Sequence, residues 1–314
     1  MRKFEVVKNK NKFFLLSAVI IALGIIFYFI NGLQLDVEYK GGTRILIEMN
    51  SEVDANEADT VVEKALGKSV TTQSLKTYNP DDEDNTIYML RFDIASDQTL
   101  NDEERSLVYD VVAQNFDVKE NGNHDMLSVS PTIGRETLMN GLKACLVASI
   151  LIILYLTWRF SALSGFSAAI TALIALIHDV AVVFSMYTIF RLPVSEVFIT
   201  AVLTILGYSL NNTIVIYDRV RENSKIMRKQ ALDEIVDTSI NQSFARTINT
   251  TITTLISVVC LYIFAAVNNI SSLMDFSLPL IVGFVAGTYS SLFISSPLWM
   301  IWRKYATRKT LKTA

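Results

Sequence analysis

The sequence predicts an α-helical membrane protein with about six transmembrane helices and one α+β domain between the first and second helices. Two observations predict the membrane part. Of the 314 residues 51% are hydrophobic and 19% are charged, and six apolar runs approach or exceed the roughly 20 residues that cross a bilayer. The third observation is an acidic segment after the first run, in which strand and helix patterns alternate.

The six apolar runs define the predicted membrane spans. They occupy residues 13–31, 141–158, 165–190, 196–217, 247–267 and 276–301. Flanking basic residues predict cytoplasmic termini, because Lys and Arg accumulate in cytoplasmic segments. They are Arg2, Lys3, Lys8, Lys10 and Lys12 before the first run and Arg303, Lys304, Arg308, Lys309 and Lys312 after the last. Among the short connections, Arg191 is the basic residue that lies on the opposite side.

The predicted domain boundaries follow from these spans. They are 1–32 for the cytoplasmic N-terminus and first helix, 33–140 for an extracytoplasmic domain, 141–303 for a five-helix membrane region with a cytoplasmic loop at 218–241, and 304–314 for a basic cytoplasmic tail. The first run has no small-x-small cleavage site after it, so we expect it to remain as an anchor. Cys145 and Cys260 lie inside apolar runs, which favours packing roles over a disulfide.

The segment 33–140 carries most of the acidic charge. It holds 22 of the 31 Asp and Glu residues and 9 of the 28 Lys and Arg residues. An acidic domain repels phosphate, and the remaining basic residues are explained by membrane topology. We therefore expect no binding to nucleic acid.

Within this segment the residue patterns predict strands at 43–49, 69–78, 86–95 and 125–133 and helices at 57–66 and 101–116. The order β-α-β-β-α-β is that of a ferredoxin-like domain. Asn101, followed by Glu104, fits the start of the second helix. The acidic stretch 80–85 lacks the spacing of a calcium loop, so we predict a solvated turn there.

Polar side chains inside the apolar runs are candidate functional residues, because a membrane tolerates them mainly where they face protein or water. His178 and Asp179 lie near the middle of the third run, as a proton-carrying pair or as a mutually satisfied pair that orders packing. Asn211 and Asn212 in the fourth run and Arg246 in the fifth fall at similar depth, because these runs are antiparallel. Alternatively, Arg246 snorkels to the interface and the amides form interhelical hydrogen bonds.

Several glycines are predicted to have backbone roles. Gly283 and Gly287 have the spacing that permits close helix contact, and Gly207 is assigned the same packing role. Gly41 and Gly42 are predicted to shape a tight turn where the chain leaves the membrane for its first strand. The sequence contains no nucleotide-binding loop, zinc-ligand spacing or nucleophile elbow, so we predict no enzyme activity, cofactor or metal.

Six stretches together resemble a known family. They are "LQLDVEYKGGT", "VSPTIGRE", "ALIHDV", "GYSLNNTIVIYDRVREN", "SINQSFARTINTTITTL" and "GTYSSLFISSP", spread in order over nearly the whole chain. In these stretches the chain is similar to the SecF members of the SecD/SecF family, which belongs to the resistance-nodulation-division transporter superfamily.

The resemblance implies a multi-pass subunit of the bacterial cytoplasmic membrane that pairs with SecD. The pair would work beside the SecYEG channel and the SecA motor on an unfolded preprotein, with a proton or sodium gradient supplying the work. Two other functions stay open: a small-molecule exporter subunit, which the small outer domain disfavours, and a translocon scaffold without ion coupling.

The chain departs from the family at one position. The fourth-span motif of the family is Asn-Asp, whereas this chain has Asn211-Asn212; Arg246 matches the family's membrane arginine. An amide cannot take up and release a proton near neutral pH. Three explanations stay open: the carboxylate comes from SecD, Asp179 carries more of the load, or the coupling ion is one such as Na⁺, which an amide carbonyl can bind. The first explanation needs no new chemistry.

Overall fold

The chain begins with a membrane-length helix and continues into a small sheet unit. The computed structural model describes residues 5–78, 86–95, 100–119, 122, 124–268 and 270–313. The elements of the first part are helix α1 (Lys10–Asn31), helix α2 (Val37–Lys40), strand β1 (Gly42–Met49), helix α3 (Ala55–Leu66), strands β2 (Val70–Tyr78) and β3 (Thr86–Ala95), helix α4 (Asp102–Asn115) and strand β4 (Asp125–Val129).

The second part consists of helices joined by short connections. It contains α5 (Pro131–Arg159), a 3-10 turn (Ser161–Leu163), α6 (Gly165–Phe190), α7 (Glu196–Ile226), α8 (Leu232–Val267), α9 (Ser271–Ser290), a π-helical segment (Ser291–Ser295) and α10 (Ser296–Thr313). Within the described residues, six helices are long and apolar enough to cross a membrane, the last being the continuous run Ser272–Ala306. The predicted six-helix membrane protein is thereby confirmed.

The four strands form one antiparallel sheet in the order β2-β3-β1-β4. Strand β1 lies inside the sheet, where Ile45 is paired with Phe92 of β3 and with Met126 of β4. Side chains from the sheet and from α3 and α4 form one apolar core, which includes Val62 and Val108. The sheet is thus covered by helices on one face.

Helix α4 begins at the predicted residue. The Asn101 side chain accepts the backbone N–H of Glu104 at 2.7 Å, and the Glu104 side chain accepts the backbone N–H of Asn101 at 3.1 Å. This reciprocal capping box satisfies two donors that the first turn of a helix leaves unpaired.

Two predicted boundaries differ from the structure. The strand predicted at 125–133 ends at Val129, because Ser130 caps a new helix and Pro131 occupies its first turn, a position that suits proline. Helix α5 therefore begins inside the segment that was assigned to the outer domain.

The loop predicted at 218–241 is mostly helical, since α7 continues to Ile226 and α8 begins at Leu232. Apolar length marks where a bilayer ends, whereas helix hydrogen bonding continues through charged turns. In one such turn Arg219 pairs with Glu222 at 2.8 Å. The predicted acidic turn at 80–85 lies outside the described residues, as do Arg2 and Lys3.

A buried ionic cluster joins the sheet unit to the membrane helices. Arg44 contacts Asp36 at 2.7 Å and Asp93 at 2.6 Å, and Arg91 contacts the same two carboxylates at 3.0 and 2.7 Å. The backbone N–H of Asp36 donates to the carbonyl of Val194, in the connection between α6 and α7, at 3.0 Å. Asp36 therefore ties strands β1 and β3 to the membrane part.

Candidate functional site

A single carboxyl joins three membrane helices. Asp179 of α6 is fully buried. Its Oδ2 accepts hydrogen bonds from Ser209 of α7 at 2.6 Å and from Ser290, at the end of α9, at 2.9 Å. The ring Nδ1 of His178 lies 3.0 Å from Oδ1. Both carboxyl oxygens are therefore engaged by protein groups.

His178 is only partly satisfied. Its Nε2 is buried and has no hydrogen-bond partner among the described residues. The ring lies against Tyr289, with 6.1 Å between the ring centroids and 26° between the planes. Tyr289 in turn donates its hydroxyl to the backbone carbonyl of Phe13 in α1 at 2.7 Å. The imidazole thus has one nitrogen beside Asp179 and one without a hydrogen-bond partner among the described residues.

Two of the predicted packing glycines bring α7 and α9 close together. A Cβ at Gly287 would lie 2.7 Å from the Cβ of Ser209, and a Cβ at Gly283 would lie 2.2 Å from Cδ1 of Ile205. This close approach lets Ser209 and the end of α9 reach the same carboxyl. At Gly207, by contrast, a Cβ would meet no atom of the described residues within 4 Å. Gly207 precedes Ser209 by two positions, which places it on the opposite side of the helix.

Buried hydroxyls extend from Asp179 along the π-helical segment. Ser291 donates to the backbone carbonyl of Ser209 at 3.2 Å and shares a hydrogen bond of 2.9 Å with Thr213. About one turn further along α7, Tyr217 accepts a hydrogen bond from Ser295 at 2.7 Å. Single π-helical turns inside α-helices often occur at functional sites. The sequence analysis did not identify these hydroxyls, although the serines of "TYSSLFISS" were a visible signal.

A second polar group lies nearer the connection between α7 and α8. A cavity of about 250 Å³ is lined by Asn211, Asn212, Val215, Arg246, Thr247 and Thr250. The Nδ2 of Asn212 and the Oγ1 of Thr247 are buried without a hydrogen-bond partner among the described residues. Arg246 and Asn211 are exposed on the outside of the helix pair. Asn212 and Arg246 therefore share one cavity, at the common depth that the sequence indicated.

Arg246 also borders a smaller cavity of about 130 Å³ at the ends of the helices. The other residues that line it are Val215, Asp218, Arg219, Glu222, Gln242 and Ser243. Asp218 pairs with Arg159 at 2.9 Å and with Arg221 at 3.1 Å. No ion pair to Arg246 occurs within the part of the chain that the structure describes. The Arg246 guanidinium thus lies between a charged cavity and a cavity lined by amides and hydroxyls.

Helix α7 carries residues of both polar groups. Ser209, which binds Asp179, and Asn212 are three positions apart and so lie on neighbouring parts of the helix surface. The structure thus brings His178 together with Asp179, and Asn212 together with Arg246. Among the described residues, no hydrogen bond or ion pair joins the two pairs directly.

The glycine turn lies between α2 and β1. Gly41 and Gly42 have φ angles of +82° and +136°, which favour glycine. A Cβ at Gly41 would lie 2.6 Å from Cα of Pro131. In α2, Glu38 accepts the backbone N–H of Glu196 at 3.2 Å, and burial raises the pKa of the Glu38 carboxyl. The turn is therefore a point of contact between the sheet unit and helices α5 and α7.

The described part of the chain offers few residues that could bind a metal ion or form a disulfide. There, no group of three or more His, Cys, Asp or Glu side chains is arranged to hold a metal ion. Cys145 and Cys260 are free thiols.

Comparisons with known sequences give matches over nearly the whole chain. The profile of the family described as protein export membrane protein SecD/SecF, C-terminal, matches residues 109–305. The protein translocase subunit SecF of Sebaldella termitidis is 33% identical over 305 residues, which are 96% of this chain and 92% of that protein. The protein translocase subunit SecDF of Bacillus subtilis is 33% identical over 311 residues, which are 98% of this chain and 39% of that protein.

Solved structures give similar matches. The crystal structure of SecDF, a translocon-associated membrane protein, from Thermus thermophilus superposes with a TM-score of 0.79 at 29% identity, covering 96% of this chain and 39% of that chain. A SecDF structure in a super-membrane-facing form gives a TM-score of 0.68 at 27% identity, covering 100% of this chain and 40% of that chain. This chain therefore spans about two fifths of the SecDF chains that it matches.

Proposed function

Because the chain belongs to the SecD/SecF family of protein export membrane proteins, we propose that it acts as the SecF subunit of the Sec protein translocase. In this function it assists the export of unfolded preproteins that SecA drives through SecYEG. The observation that carries the proposal is the match to a SecF subunit over 96% of this chain and 92% of the relative.

The proposed partner is SecD. The fused SecDF relatives support this pairing, since this chain corresponds to 39% of one of them. Polar residues exposed on the α7–α8 pair also support it, because polar side chains in a bilayer usually face protein or water. Arg246, Asn211 and Thr250 are such residues. We therefore assign the α7–α8 surface to contact with SecD.

The proposed mechanism couples export to an ion gradient. Asp179 is the group of this chain that takes up and releases a proton, because it is a carboxyl at membrane depth with hydroxyls on two neighbouring helices. Arg246 provides a fixed positive charge in the cavity that contains Asn212, three positions along α7 from the Ser209 that binds Asp179. In the SecD-bound state, a carboxylate of SecD enters this cavity and pairs with Arg246, and Asn212 orients the pair by hydrogen bonding. This arrangement accounts for the amide in place of the family's carboxylate.

We further assign the sheet unit to the ferredoxin-like class and to the outer side of the membrane, and both termini to the cytoplasm. The sheet order β2-β3-β1-β4 and the two flanking helices support the first assignment. The basic residues near both termini support the second. In this arrangement the small Arg246 cavity opens toward the cytoplasm.

A second candidate is a translocon scaffold that moves no ion. Asn212 favours it, because an amide at that position cannot titrate. The two functions predict different results in export assays. A scaffold should support export without Arg246 and without an ion gradient, whereas an ion-coupled subunit should need both.

Pulse-chase processing of a secreted reporter tests the proposed function. Cells depleted of their own SecF receive SecD alone or SecD with this chain, and membrane abundance is matched by immunoblot. We expect the reporter to mature faster with the chain than with SecD alone. Equal rates with and without the chain would contradict the proposal.

A further inference from the structure

We propose that the cleft between the sheet unit and the membrane helices binds an anionic phospholipid, with the headgroup phosphate beside Lys40 and Arg191 and an acyl chain in an apolar groove below. The inference stands apart from the proposed function, because it rests on two adjoining cavities of opposite polarity and on the charges at the upper one.

The upper cavity has a volume of about 710 Å³, and its basic side chains are Lys40, Lys68 and Arg191. Its two carboxylates, Asp36 and Asp93, are both held in the buried cluster with Arg44 and Arg91. They are therefore already neutralised by neighbouring guanidinium groups. The charge that this cavity offers to a ligand is positive.

Two of the three cations are available to an anion. Lys68 is paired with Glu104 at 2.5 Å. Arg191 donates to the neutral amide oxygen of Asn31 at 2.9 Å, so its charge is not compensated by that contact. Lys40 is exposed and has no ion-pair partner among the residues that the structure describes. Lys and Arg accumulate on the cytoplasmic side of membrane proteins, which does not explain the position of Arg191 on the opposite side.

The lower groove has a volume of about 570 Å³ and lies among helices α5, α6 and α7, beside the segment 33–35. Its walls are almost entirely aliphatic and aromatic, with Cys145 and Ser149 as the exceptions. The Ser149 hydroxyl donates to the backbone carbonyl of Cys145 at 2.8 Å, so it offers little to a polar ligand. Ile177 and Leu142, which line the groove, are 60% and 54% exposed. The groove therefore opens toward the lipid phase.

The two cavities share a wall. Leu33 and Leu35 line both of them. Leu35 forms a parallel bridge with Val194, and the N–H of Val194 donates to the carbonyl of Gln34 at 2.8 Å. The 33–35 segment is thus held in place by the connection between α6 and α7. A ligand that passes over it has one end among cations and the other among apolar side chains.

An anionic phospholipid has this distribution of charge. Both cavity volumes fall in the range of about 300–1,000 Å³ that is typical of ligand sites. A soluble anion would leave the lower groove without a ligand, and a zwitterionic lipid would leave the two cations only partly compensated. Each cation near a membrane surface typically strengthens the binding of anionic lipid by about five-fold.

The test compares phosphatidylglycerol with phosphatidylcholine. The chain, purified in detergent with its SecD, is titrated with each lipid, and bound lipid is counted by native mass spectrometry. Lys40→Gln with Arg191→Gln forms the test variant. Lys64→Gln with Lys76→Gln is the matched control, because both lysines lie on the sheet unit and neither lines the cleft. We expect phosphatidylglycerol to bind more tightly than phosphatidylcholine, and the test variant to lose about five-fold in affinity per cation. The control should retain wild-type affinity.

The acyl chain has its own test. Ala181 lines the groove, so Ala181→Phe should weaken the binding of both lipids. In case that variant does not fold, the maleimide labelling rate of Cys145 in a Cys260→Ser background gives an independent measurement, and phosphatidylglycerol should slow it. Equal affinity for the two lipids, or equal losses in the test and control variants, would overturn the proposal. So would complete displacement by glycerol phosphate with no effect on Cys145, since that result would indicate an anion site alone.

Discussion

Ser209 of α7 donates a hydrogen bond of 2.6 Å to the carboxyl of Asp179 in α6. Ser290, at the end of α9, binds the same oxygen at 2.9 Å. Because one oxygen holds two neighbouring helices, a change in the charge of Asp179 alters the contacts of both. Asp179 is thus a point of contact between α6 and both of these helices.

The first prediction concerns the proton on Asp179. Asp179→Asn keeps the size of the side chain and an acceptor for Ser209, but the amide cannot titrate. We expect normal membrane abundance and reporter processing no faster than with SecD alone, as measured by immunoblot and pulse-chase. Ser290→Ala, which leaves the carboxyl in place, should retain more export. Wild-type processing by Asp179→Asn would contradict a role in proton transfer.

The second prediction compares two glycines. Gly287→Ala places a methyl group 2.7 Å from the Cβ of Ser209, so it should destabilise the chain by about 1–3 kcal/mol through overpacking. Gly207→Ala has open space around it and should be neutral, or stabilising by up to about 1 kcal/mol through lower unfolded-state entropy. Thermal unfolding in detergent measures both. Similar unfolding temperatures for the two variants would contradict the helix contact described here.

The third prediction concerns the amide beside Arg246. Asn212→Asp places a carboxylate in a cavity that already contains the Arg246 guanidinium. We expect this variant to retain more export than an apolar replacement, because a carboxylate can still accept hydrogen bonds and pair with Arg246, although it competes with the SecD carboxylate for that cation. Asn212→Leu, which fits the space but cannot hydrogen-bond, should slow processing. The two variants are compared by pulse-chase at equal abundance, and the reverse order of their rates would argue against an Asn212–Arg246 pair.

The fourth prediction concerns the buried ionic cluster. Asp36→Asn removes a carboxylate with 4% side-chain exposure that binds two arginines. Of the carboxylates in the cluster, Asp93 alone then contacts both guanidinium groups, so one buried positive charge is left uncompensated, and the change should destabilise the sheet unit by roughly 3–5 kcal/mol. Glu52→Gln is the control, since the side chains of its partner Lys76 and of Glu52 itself are 35% and 58% exposed and surface pairs of this kind contribute less than about 1 kcal/mol. Limited proteolysis across a temperature series would detect the difference, and equal sensitivity would contradict it.

Local patterns in the sequence predicted most elements. The helix after Asn101 was predicted because its cap and Glu104 are neighbours in sequence, so the interaction that fixes the boundary is itself local. The six spans were predicted from apolar length for the same reason. The end of α7 was not predicted, because hydropathy does not register the charged turns that continue to Ile226.

Contacts between residues that are distant in the sequence were harder to predict from the sequence. Asp179 was identified as a candidate, but its partners Ser209 and Ser290 are 30 and 111 positions away in the sequence. A serine in a membrane helix is ordinary when considered alone, and only the packing of α7 against α9 brings these two to one carboxyl. The similar depth of Asn212 and Arg246 was predicted from helix rise, whereas the exposure of Arg246 on the α7–α8 surface depends on three-dimensional packing.

The mechanism that we propose requires the polar residues of the membrane helices for export. Arg246→Ala tests it most directly, in SecF-depleted cells that also express the matching SecD, with reporter maturation measured by pulse-chase at equal abundance. Arg228→Ala is the control, because Arg228 is an exposed residue that lines neither Arg246 cavity. We expect Arg246→Ala to fail to restore export and Arg228→Ala to restore it fully. Full restoration by both variants would contradict ion coupling and favour the scaffold.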